Sequence, residues 1–163
     1  MTKTTPKTAP QKTAKAGGPR IQVRRSGIHG KGVFALRPIA HGERIIEYKG
    51  EIVSWKKATA RQPDNGDPDH TFLFGIDDIR VIDANVGGNA ARYINHSCDP
   101  NCETEQINHQ VFIHAIRDIE PGEELYYDYQ LTLDEPHTAK AKRQHACHCG
   151  AKNCRGTLLA KKR

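Results

Sequence analysis

Three cysteines near the C-terminus have the spacing of metal ligands. Cys147, Cys149 and Cys154 form the pattern C-x-C-x-x-x-x-C, and the chain holds 5 cysteines in all. An odd number of cysteines, in a chain without an apolar leader at its N-terminus, argues against a disulfide framework. Thiolates favour zinc, which takes four tetrahedral ligands in structural sites. The pattern therefore predicts a zinc site whose fourth ligand comes from elsewhere in the chain.

A run of polar residues in the middle of the chain has groups that bind ligands through directional hydrogen bonds. Residues 92–102 read RYINHSCDPNC, and Asn95 and His96 stand side by side within them. Amide and imidazole groups donate and accept in fixed directions, and Pro100 restricts the backbone where the run ends. Taken alone, the run fits a ligand site or an Asx-rich turn around a core histidine.

Tyrosines and paired glycines offer two further candidate sites. The segment ELYYDY at 124–129 places tyrosine hydroxyls on both faces of a strand, which fits aromatic packing at a sheet edge or a tyrosine-lined channel. Gly30 and Gly32 precede a strand, where glycine permits a positive φ or a close approach of the backbone to a ligand. The third glycine and the helix of a dinucleotide fingerprint are missing, which excludes a Rossmann site. For the glycine pair alone, an ordinary turn is the simpler explanation.

Short strands separated by turns must position these residues. Strand-like segments, rich in β-branched and aromatic residues, stand at 32–38, 43–53, 72–76, 80–84, 111–116 and 124–129. Helical pattern is scarce and is confined to 55–62 and 89–95. We therefore predict a mainly β fold. One internal echo joins residues 35–43 and 115–123, which are similar in sequence. Each reads as a strand, a turn with glycine and a second strand, which indicates that the same hairpin type is used twice.

Charge divides the chain into an acidic body and two basic ends. Residues 1–19 carry four lysines and residues 138–163 carry eight basic residues, both without acids, so residues 20–137 have a net charge of −6 within a chain of +6. The ends suit a polyanion such as nucleic acid or are plain solvated charge, whereas the body suits a cationic peptide. No apolar leader and no membrane-spanning stretch is predicted. We expect a cytoplasmic or, in a eukaryote, nuclear protein.

In chain order these motifs resemble the SET-domain protein-lysine methyltransferases that carry a post-SET zinc cluster. The segments that carry the resemblance are GKGVFA at 30–35, EYKGE at 47–51, RYINHSCDPNC at 92–102, GEELYYDY at 122–129 and CHCGAKNCRG at 147–156. The resemblance spans roughly residues 20–157. It implies a SET-domain fold of small curved sheets with a pseudoknot and few short helices. The implied division is a disordered basic arm at 1–19, a SET domain at 20–133, a polar linker at 134–143 and a post-SET segment at 144–160.

The resemblance implies transfer of a methyl group from S-adenosylmethionine to lysine in a basic protein, histone or histone-like, as mono- or dimethylation. It assigns catalysis to Tyr129, with Tyr48 and Tyr127 lining the lysine channel. It makes Cys98 the fourth zinc ligand, with Cys102 or His148 as alternatives. The implied cofactor contacts are His29, Gly30, Lys31, Gly32, Phe72, Arg92, Tyr93, Asn95, His96 and Tyr129. Phe72 stands where tyrosine is common, so a hydroxyl is missing there.

Two other functions stay open on the sequence alone. The chain fits an inactive SET-fold binding module that engages protein or nucleic acid through its basic arms. It also fits an enzyme that methylates its own lysine-rich arm or mimics its substrate with it. The insert at 54–80 is short and a Cys-rich region before the SET domain is missing. Because substrate contacts come largely from those two regions, the substrate protein stays open.

Overall fold

The structure is a computed structural model, and it describes residues 18–63 and 71–161. Within these ranges the chain forms short strands, two short α-helices and one 3-10 helix, which confirms the predicted mainly β fold. The strands are β1 Ile21–Arg25, β2 Lys31–Ala35, β3 Arg44–Glu47, β4 Glu51–Ser54, β5 Leu73–Gly75, β6 Arg80–Asp83, β7 Asn95–His96, β8 Cys102–Ile107, β9 Gln110–Ala115 and β10 Tyr126–Tyr127. The helices are α1 Trp55–Ala60 and α2 Ala139–Gln144, and the 3-10 helix is Ala90–Tyr93.

The strands form four small sheets around one main core. Antiparallel sheets join β1 with β2, β3 with β9 and β8, and β4 with β6 and β5. Strand β9 shows how the core is built, because Val111, Ile113 and Ala115 alternate inward and are buried. They pack with Val33 of β2 and with Leu125, which precedes β10. Each sheet is too small to stand alone, so the shared core holds them in position.

A parallel pair of two-residue strands brings two polar motifs together. Strand β10 pairs with β7 so that Tyr126 is opposite Asn95 and Tyr127 is opposite His96. The buried side chain of Asn101 fixes this junction: its Nδ2 donates to the carbonyl of Glu124 at 2.8 Å, and its Oδ1 accepts from the backbone N–H of Tyr126 at 2.8 Å. The motifs at 92–102 and 124–129 therefore become neighbours although they are far apart in sequence.

The two echoing segments at 35–43 and 115–123 pair with each other. Ile39 and Ile119 form an antiparallel bridge with backbone hydrogen bonds of 2.9 and 2.8 Å. Each segment then turns at a glycine with positive φ, 82° at Gly42 and 90° at Gly122. The echo in the sequence thus builds two matching turns that support each other across the core.

Helices are short, as predicted, but their bounds differ from the sequence pattern. Helix α1 begins after Ser54, whose Oγ accepts from the backbone N–H of Lys57, and it ends at Ala60. The helical pattern at 89–95 becomes the 3-10 helix, because Asn95 and His96 are needed in β7. Helix α2 lies where the sequence suggests a polar linker, and it begins after the capping hydroxyl of Thr138. No helix among the described residues is long and apolar enough to span a membrane.

Candidate active site

The three predicted tyrosines meet at one cavity of about 260 Å³. Tyr48 follows β3, Tyr127 lies in β10 and Tyr129 follows it, so separate elements supply the walls. The ring centroids of Tyr127 and Tyr129 are 5.0 Å apart, and Phe74 of β5 lies 5.2 Å from Tyr48 and 6.3 Å from Tyr127. The cavity is also lined by Trp55, Thr71, Phe72, Leu73, Gly75, Arg92, Gln130, Leu131 and Thr132. The tyrosine rings thus pack against one another and also line a cavity.

The tyrosine hydroxyls stay neutral near pH 7. Burial raises the pKa of Tyr48, and burial followed by the nearby Tyr129 and Tyr48 raises the pKa of Tyr127. Tyr129 is fixed at two points, since its hydroxyl donates to the carbonyl of Ile94 at 2.6 Å and its backbone N–H donates to Nδ1 of His96 at 3.0 Å. With that proton donated to Ile94, the Tyr129 oxygen interacts with a ligand as an acceptor.

Asn95 and a buried glutamate fix the glycine-containing loop. The amide of Asn95 donates to the carbonyls of His29 and Lys31 at 3.2 and 3.0 Å and to Oε1 of Glu124 at 3.0 Å. A Cβ on Gly32 would lie 2.0 Å from that same Oε1, so only glycine allows Glu124 this position. The glycine pair predicted a close approach of the backbone to a ligand. In the structure, the group that approaches Gly32 is the side chain of Glu124. The side chain of Asn95, predicted as a cofactor contact, is used to position the loop.

Glu124 is a residue of the site that the sequence analysis missed. It is buried, and Oε2 accepts from the hydroxyls of Ser26 and Tyr126 at 3.0 and 2.8 Å while Oε1 accepts from Asn95. An acidic residue directly before the apolar and aromatic run at 125–127 was the available signal. A buried carboxylate needs several donors, and these donors join the loop before β2 to β7 and β10.

Beside the cavity, cations stack on aromatic rings in a cationic ladder made of four predicted cofactor residues: Lys31, Tyr93, Arg92 and Phe72. Arg92 Cζ lies 4.7 Å from the ring centroid of Tyr93 and 5.3 Å from that of Phe72, and Lys31 Nζ lies 5.2 Å from the Tyr93 ring. Arg92 also donates to the carbonyl of Ala84 at 3.1 Å and to the Tyr93 hydroxyl at 2.8 Å. Phe72 has a φ of 58°, a conformation that costs energy for a residue other than glycine. The ladder places two positive charges where a ligand carboxylate would be stabilised.

Four cysteines come together at the C-terminal end. The sulfur atoms of Cys98, Cys147, Cys149 and Cys154 all lie within 4.8 Å of one another, with Cys98 Sγ 3.8 Å from Cys147 Sγ and 4.0 Å from Cys154 Sγ. Tetrahedral zinc with Zn–S bonds of about 2.3 Å holds its sulfurs about 3.8 Å apart. These residues therefore fit zinc. Neither Cys102 nor His148 belongs to the cluster.

The thiols of this cluster differ in acidity. Burial raises the pKa of Cys98 and of Cys147. Burial also opposes ionisation of Cys149, but hydrogen bonds from the backbone and from Cys147 and Cys154 outweigh it and lower the pKa of Cys149 to about 6. Metal uptake from the thiol form would release protons, because zinc binds thiolates. Burial in the core raises the pKa of Cys102 to about 12, as expected for an inert cysteine.

The cysteine cluster is joined directly to the tyrosine cavity. Arg155, which follows Cys154, makes two charged hydrogen bonds of 2.7 and 2.9 Å to Asp128, which lies between Tyr127 and Tyr129. Burial favours the neutral form of Asp128, but the Arg155 guanidinium outweighs burial. The pKa of Asp128 therefore lies below its ordinary value. Leu131 accepts from the backbone N–H of Ala160 at 2.8 Å and donates to Leu158 at 3.1 Å. The C-terminal segment therefore pairs with Leu131, which lines the cavity.

Comparisons with known proteins agree with this geometry. The family model described as SET domain matches residues 30–130. The chain is 41% identical over 143 residues to human histone-lysine N-methyltransferase 2B and 40% identical over 145 residues to the Saccharomyces cerevisiae histone-lysine N-methyltransferase, H3 lysine-4 specific. Each match covers 85% of this chain, but only 5% and 13% of those proteins. The chain thus spans a small part of the curated relatives that it matches.

Two solved structures resemble the fold. The crystal structure of the Chaetomium thermophilum polycomb repressive complex 2 gives a TM-score of 0.61 at 32% identity, over 72% of this chain and 16% of that chain. The same complex in an autoinhibited conformation bound to S-adenosylmethionine gives 0.60 at 33% identity, over 69% and 15%.

Proposed function

The chain belongs to the SET-domain family, and on that premise we propose that it transfers a methyl group from S-adenosylmethionine to the side-chain amine of lysine in a basic protein. The observation that carries the proposal is the convergence of Tyr48, Tyr127 and Tyr129 on one cavity beside the cationic ladder. The names of the relatives and the cofactor in one solved neighbour support it.

The tyrosine cavity suits a lysine side chain that must lose its proton before it reacts. A free lysine amine has a pKa of about 10.4, so it is protonated at pH 7 and is not a nucleophile. Burial among aromatic rings disfavours the charged form and lowers that pKa. The rings enclose the aliphatic stem, and the hydroxyls of Tyr129 and Tyr48 orient the amine lone pair. The residues desolvate and aim the amine, and no strong general base is required.

The cofactor would lie along the cationic ladder and the loop that contains Gly30 and Gly32. When bound, S-adenosylmethionine would supply the methyl group and carry a carboxylate that suits Arg92 and Lys31. Tyr93 and Phe72 would contribute apolar contact. The side chains of Asn95 and His96 would act indirectly, by fixing the loop and Tyr129.

We further propose a SET domain at 20–133 and a zinc-binding post-SET segment at 144–160, joined by a linker that contains α2. Zinc would be held by Cys98, Cys147, Cys149 and Cys154 and would fix the C-terminal segment against Leu131 at the cavity rim. A structural metal of this kind contributes directly to folding. Cys98 comes from the polar motif at 92–102, so the metal would tie that motif to the C-terminus.

The partner follows from charge and from the relatives. The acidic body suits a lysine-rich tail, histone or histone-like, and such an enzyme would work at chromatin in the nucleus of a eukaryote. Mono- or dimethylation is the proposed product. Weak contact of the basic arms with nucleic acid, and methylation of the arm itself, remain predictions. Residues 1–17, which hold most of the N-terminal arm, lie outside the described residues.

Transfer of labelled methyl groups tests this function. Zinc-loaded protein is incubated with labelled S-adenosylmethionine and a panel of histones, bacterial DNA-binding proteins and ribosomal proteins. We expect label on lysine with the wild type and its loss in Tyr129→Phe. Thr104→Val is the control, since it removes a hydroxyl from the exposed side of β8 that does not line the cavity, and it should keep most of the activity. Protein that neither binds the cofactor nor transfers label would indicate a binding module instead.

A further inference from the structure

His96 lies between the cysteine cluster and the tyrosine cavity and contacts both. It is 6% exposed, and both ring nitrogens have partners. Its Nδ1 accepts from the backbone N–H of Tyr129 at 3.0 Å, and its Nε2 lies 3.3 Å from Cys98 Sγ. The imidazole also packs edge-on against the Tyr129 ring, with centroids 5.3 Å apart.

These contacts fix which nitrogen carries the proton. A backbone N–H can only donate, so Nδ1 must be unprotonated where it faces Tyr129. A neutral imidazole has one N–H, which is then on Nε2 and points at Cys98 Sγ. The same sulfur accepts from the backbone N–H of Arg155 at 3.4 Å. With zinc bound, Cys98 would be a thiolate, and both of these donors would point at its charge.

We propose that His96 is a positioning residue that couples the four-cysteine metal site to Tyr129. With zinc held as a tetrathiolate, the charged sulfur of Cys98 accepts from Nε2–H and sets the tautomer and orientation of the imidazole. Nδ1 then fixes the backbone of Tyr129, whose hydroxyl is directed at Ile94. Substituting a residue that hydrogen-bonds to a metal ligand commonly lowers metal affinity or activity by about 10- to 100-fold. The effect on methyl transfer rests on the proposed function, but the effect on metal binding does not.

A second link runs in parallel, and substitutions at His96 leave it intact. Asp128 and Arg155 join the neighbour of Tyr129 to the neighbour of Cys154. Asp128 Oδ1 also lies 3.6 Å from His96 Nδ1, farther than the Tyr129 nitrogen. Loss of His96 alone should therefore loosen Tyr129 without releasing the whole segment.

Two near-isosteric variants separate the two contacts of His96. His96→Asn places a polar atom where Nδ1 was and lacks a donor that reaches Cys98. His96→Gln can place its amide nitrogen near Nε2 and lacks the acceptor for Tyr129. The same two substitutions at the exposed His41 serve as matched controls, because this residue lies far from both sites in the turn before β3.

Zinc affinity is measured by competition with a chromophoric chelator, and turnover is measured with a basic acceptor protein. We expect His96→Asn to bind zinc about tenfold or more weakly. We expect His96→Gln to bind zinc within a few-fold of wild type but to lose kcat by about tenfold or more. Equal zinc affinities for wild type, His96→Asn and His96→Gln would overturn the proposal.

A measurement on the wild type does not depend on the variants folding. Long-range proton–nitrogen NMR of the imidazole should show the Nε2–H tautomer, and zinc removal should shift the backbone amide resonance of Tyr129. A proton on Nδ1, or a Tyr129 amide that does not respond to zinc, would overturn the coupling. Neither measurement needs a methyl acceptor. A failure of methyl transfer with the NMR result intact would therefore contradict the proposed function and leave the coupling standing.

Discussion

Tyr129 is held at its backbone and at its hydroxyl, and this double restraint makes it the residue on which the proposed chemistry depends most. Removing the hydroxyl in Tyr129→Phe should lower kcat by about 100-fold, because a misplaced amine loses the alignment that the site provides. Cofactor affinity should change much less, since the cationic ladder is untouched. Steady-state kinetics together with calorimetry of cofactor binding check this, and a change in KM alone would count against the assigned role.

Tyr127 is expected to control how many methyl groups the site accepts. Its ring is buried and lies 5.0 Å from that of Tyr129, so its hydroxyl takes up room in the cavity. Tyr127→Phe should raise the fraction of di- and trimethyl-lysine by making room for a methylated amine. Mass spectrometry of the product distribution measures this, with Thr104→Val on the exposed side of β8 as the control. An unchanged distribution at equal turnover would refute the role.

The sequence predicted the tyrosines and cysteines that come together in the structure. It did not predict the side chains that hold them in place. The three tyrosines and the four cysteines were predicted because the SET-domain family, which the chain resembles, has the same residue types in the same order. Glu124 was missed because an acid at the start of a strand segment is normally exposed. Its burial depends on Ser26, Asn95 and Tyr126, which come from distant parts of the chain.

Among the secondary-structure elements, β6 depends on a buried charge. The side chain of Asp83 is fully buried, and it accepts from Arg61 at 3.0 Å and from the amide of Asn85 at 2.9 Å. Burial raises the pKa of Asp83, but hydrogen bonds from Asn85 and Arg61 outweigh it and hold the pKa below 3.8. A carboxyl with a depressed folded pKa adds stability above its unfolded pKa of about 3.9, and this is lost as pH falls through the folded pKa.

Asp83→Asn should therefore lower the free energy of unfolding at pH 7 by about 1.5–3 kcal/mol, the range for hydrogen bonds to charged groups. The difference from wild type should shrink as the pH falls below about 4. Denaturant titrations at several pH values measure it, and Asp78→Asn, at an exposed turn, is the control. A difference that stays constant down to pH 3 would mean that the charge is not the cause.

Element boundaries were predicted less well than the existence of elements. The segment at 43–53 divides into β3 and β4, because Gly50 packs so closely on the backbone at Asp83 that a Cβ would lie 2.6 Å from the Asp83 carbonyl oxygen. Strand β8 was not predicted, because its residues 103–106 are exposed and polar and so lack the alternation of a half-buried strand. Both outcomes depend on tertiary neighbours that no local pattern contains.

For the whole molecule, we expect the C-terminal segment to rely on the metal site more than on apolar packing. Its cluster consists of Cys98, Cys147 and Leu158, with Leu131, Cys149 and Cys154 packed against it. Removing zinc with a strong chelator should expose Lys152 and Arg155 to trypsin while the main core stays folded. Peptide mapping with and without added zinc measures this. Equal cleavage rates in both conditions would show that the segment does not depend on zinc.

The global arrangement could be predicted only through the resemblance to a family. Local patterns gave short strands and turns, but the pairing of β7 with β10 and of the two echoing turns joins residues about 30 and 80 positions apart. The position of Cys98 beside the C-terminal cysteines depends on the same long-range pairing. Spacing alone left Cys102 and His148 equally open as the fourth ligand.

Identification of the modified atom tests the central claim most directly. Zinc-loaded wild type and Tyr129→Phe are incubated with S-adenosylmethionine and a histone mixture, and tandem mass spectrometry maps every methyl group on the histones and on the enzyme itself. The account predicts one or two methyl groups on lysine side-chain amines with the wild type, and their loss in the variant. Methylation of another residue type, or equal lysine methylation by both proteins, would contradict it.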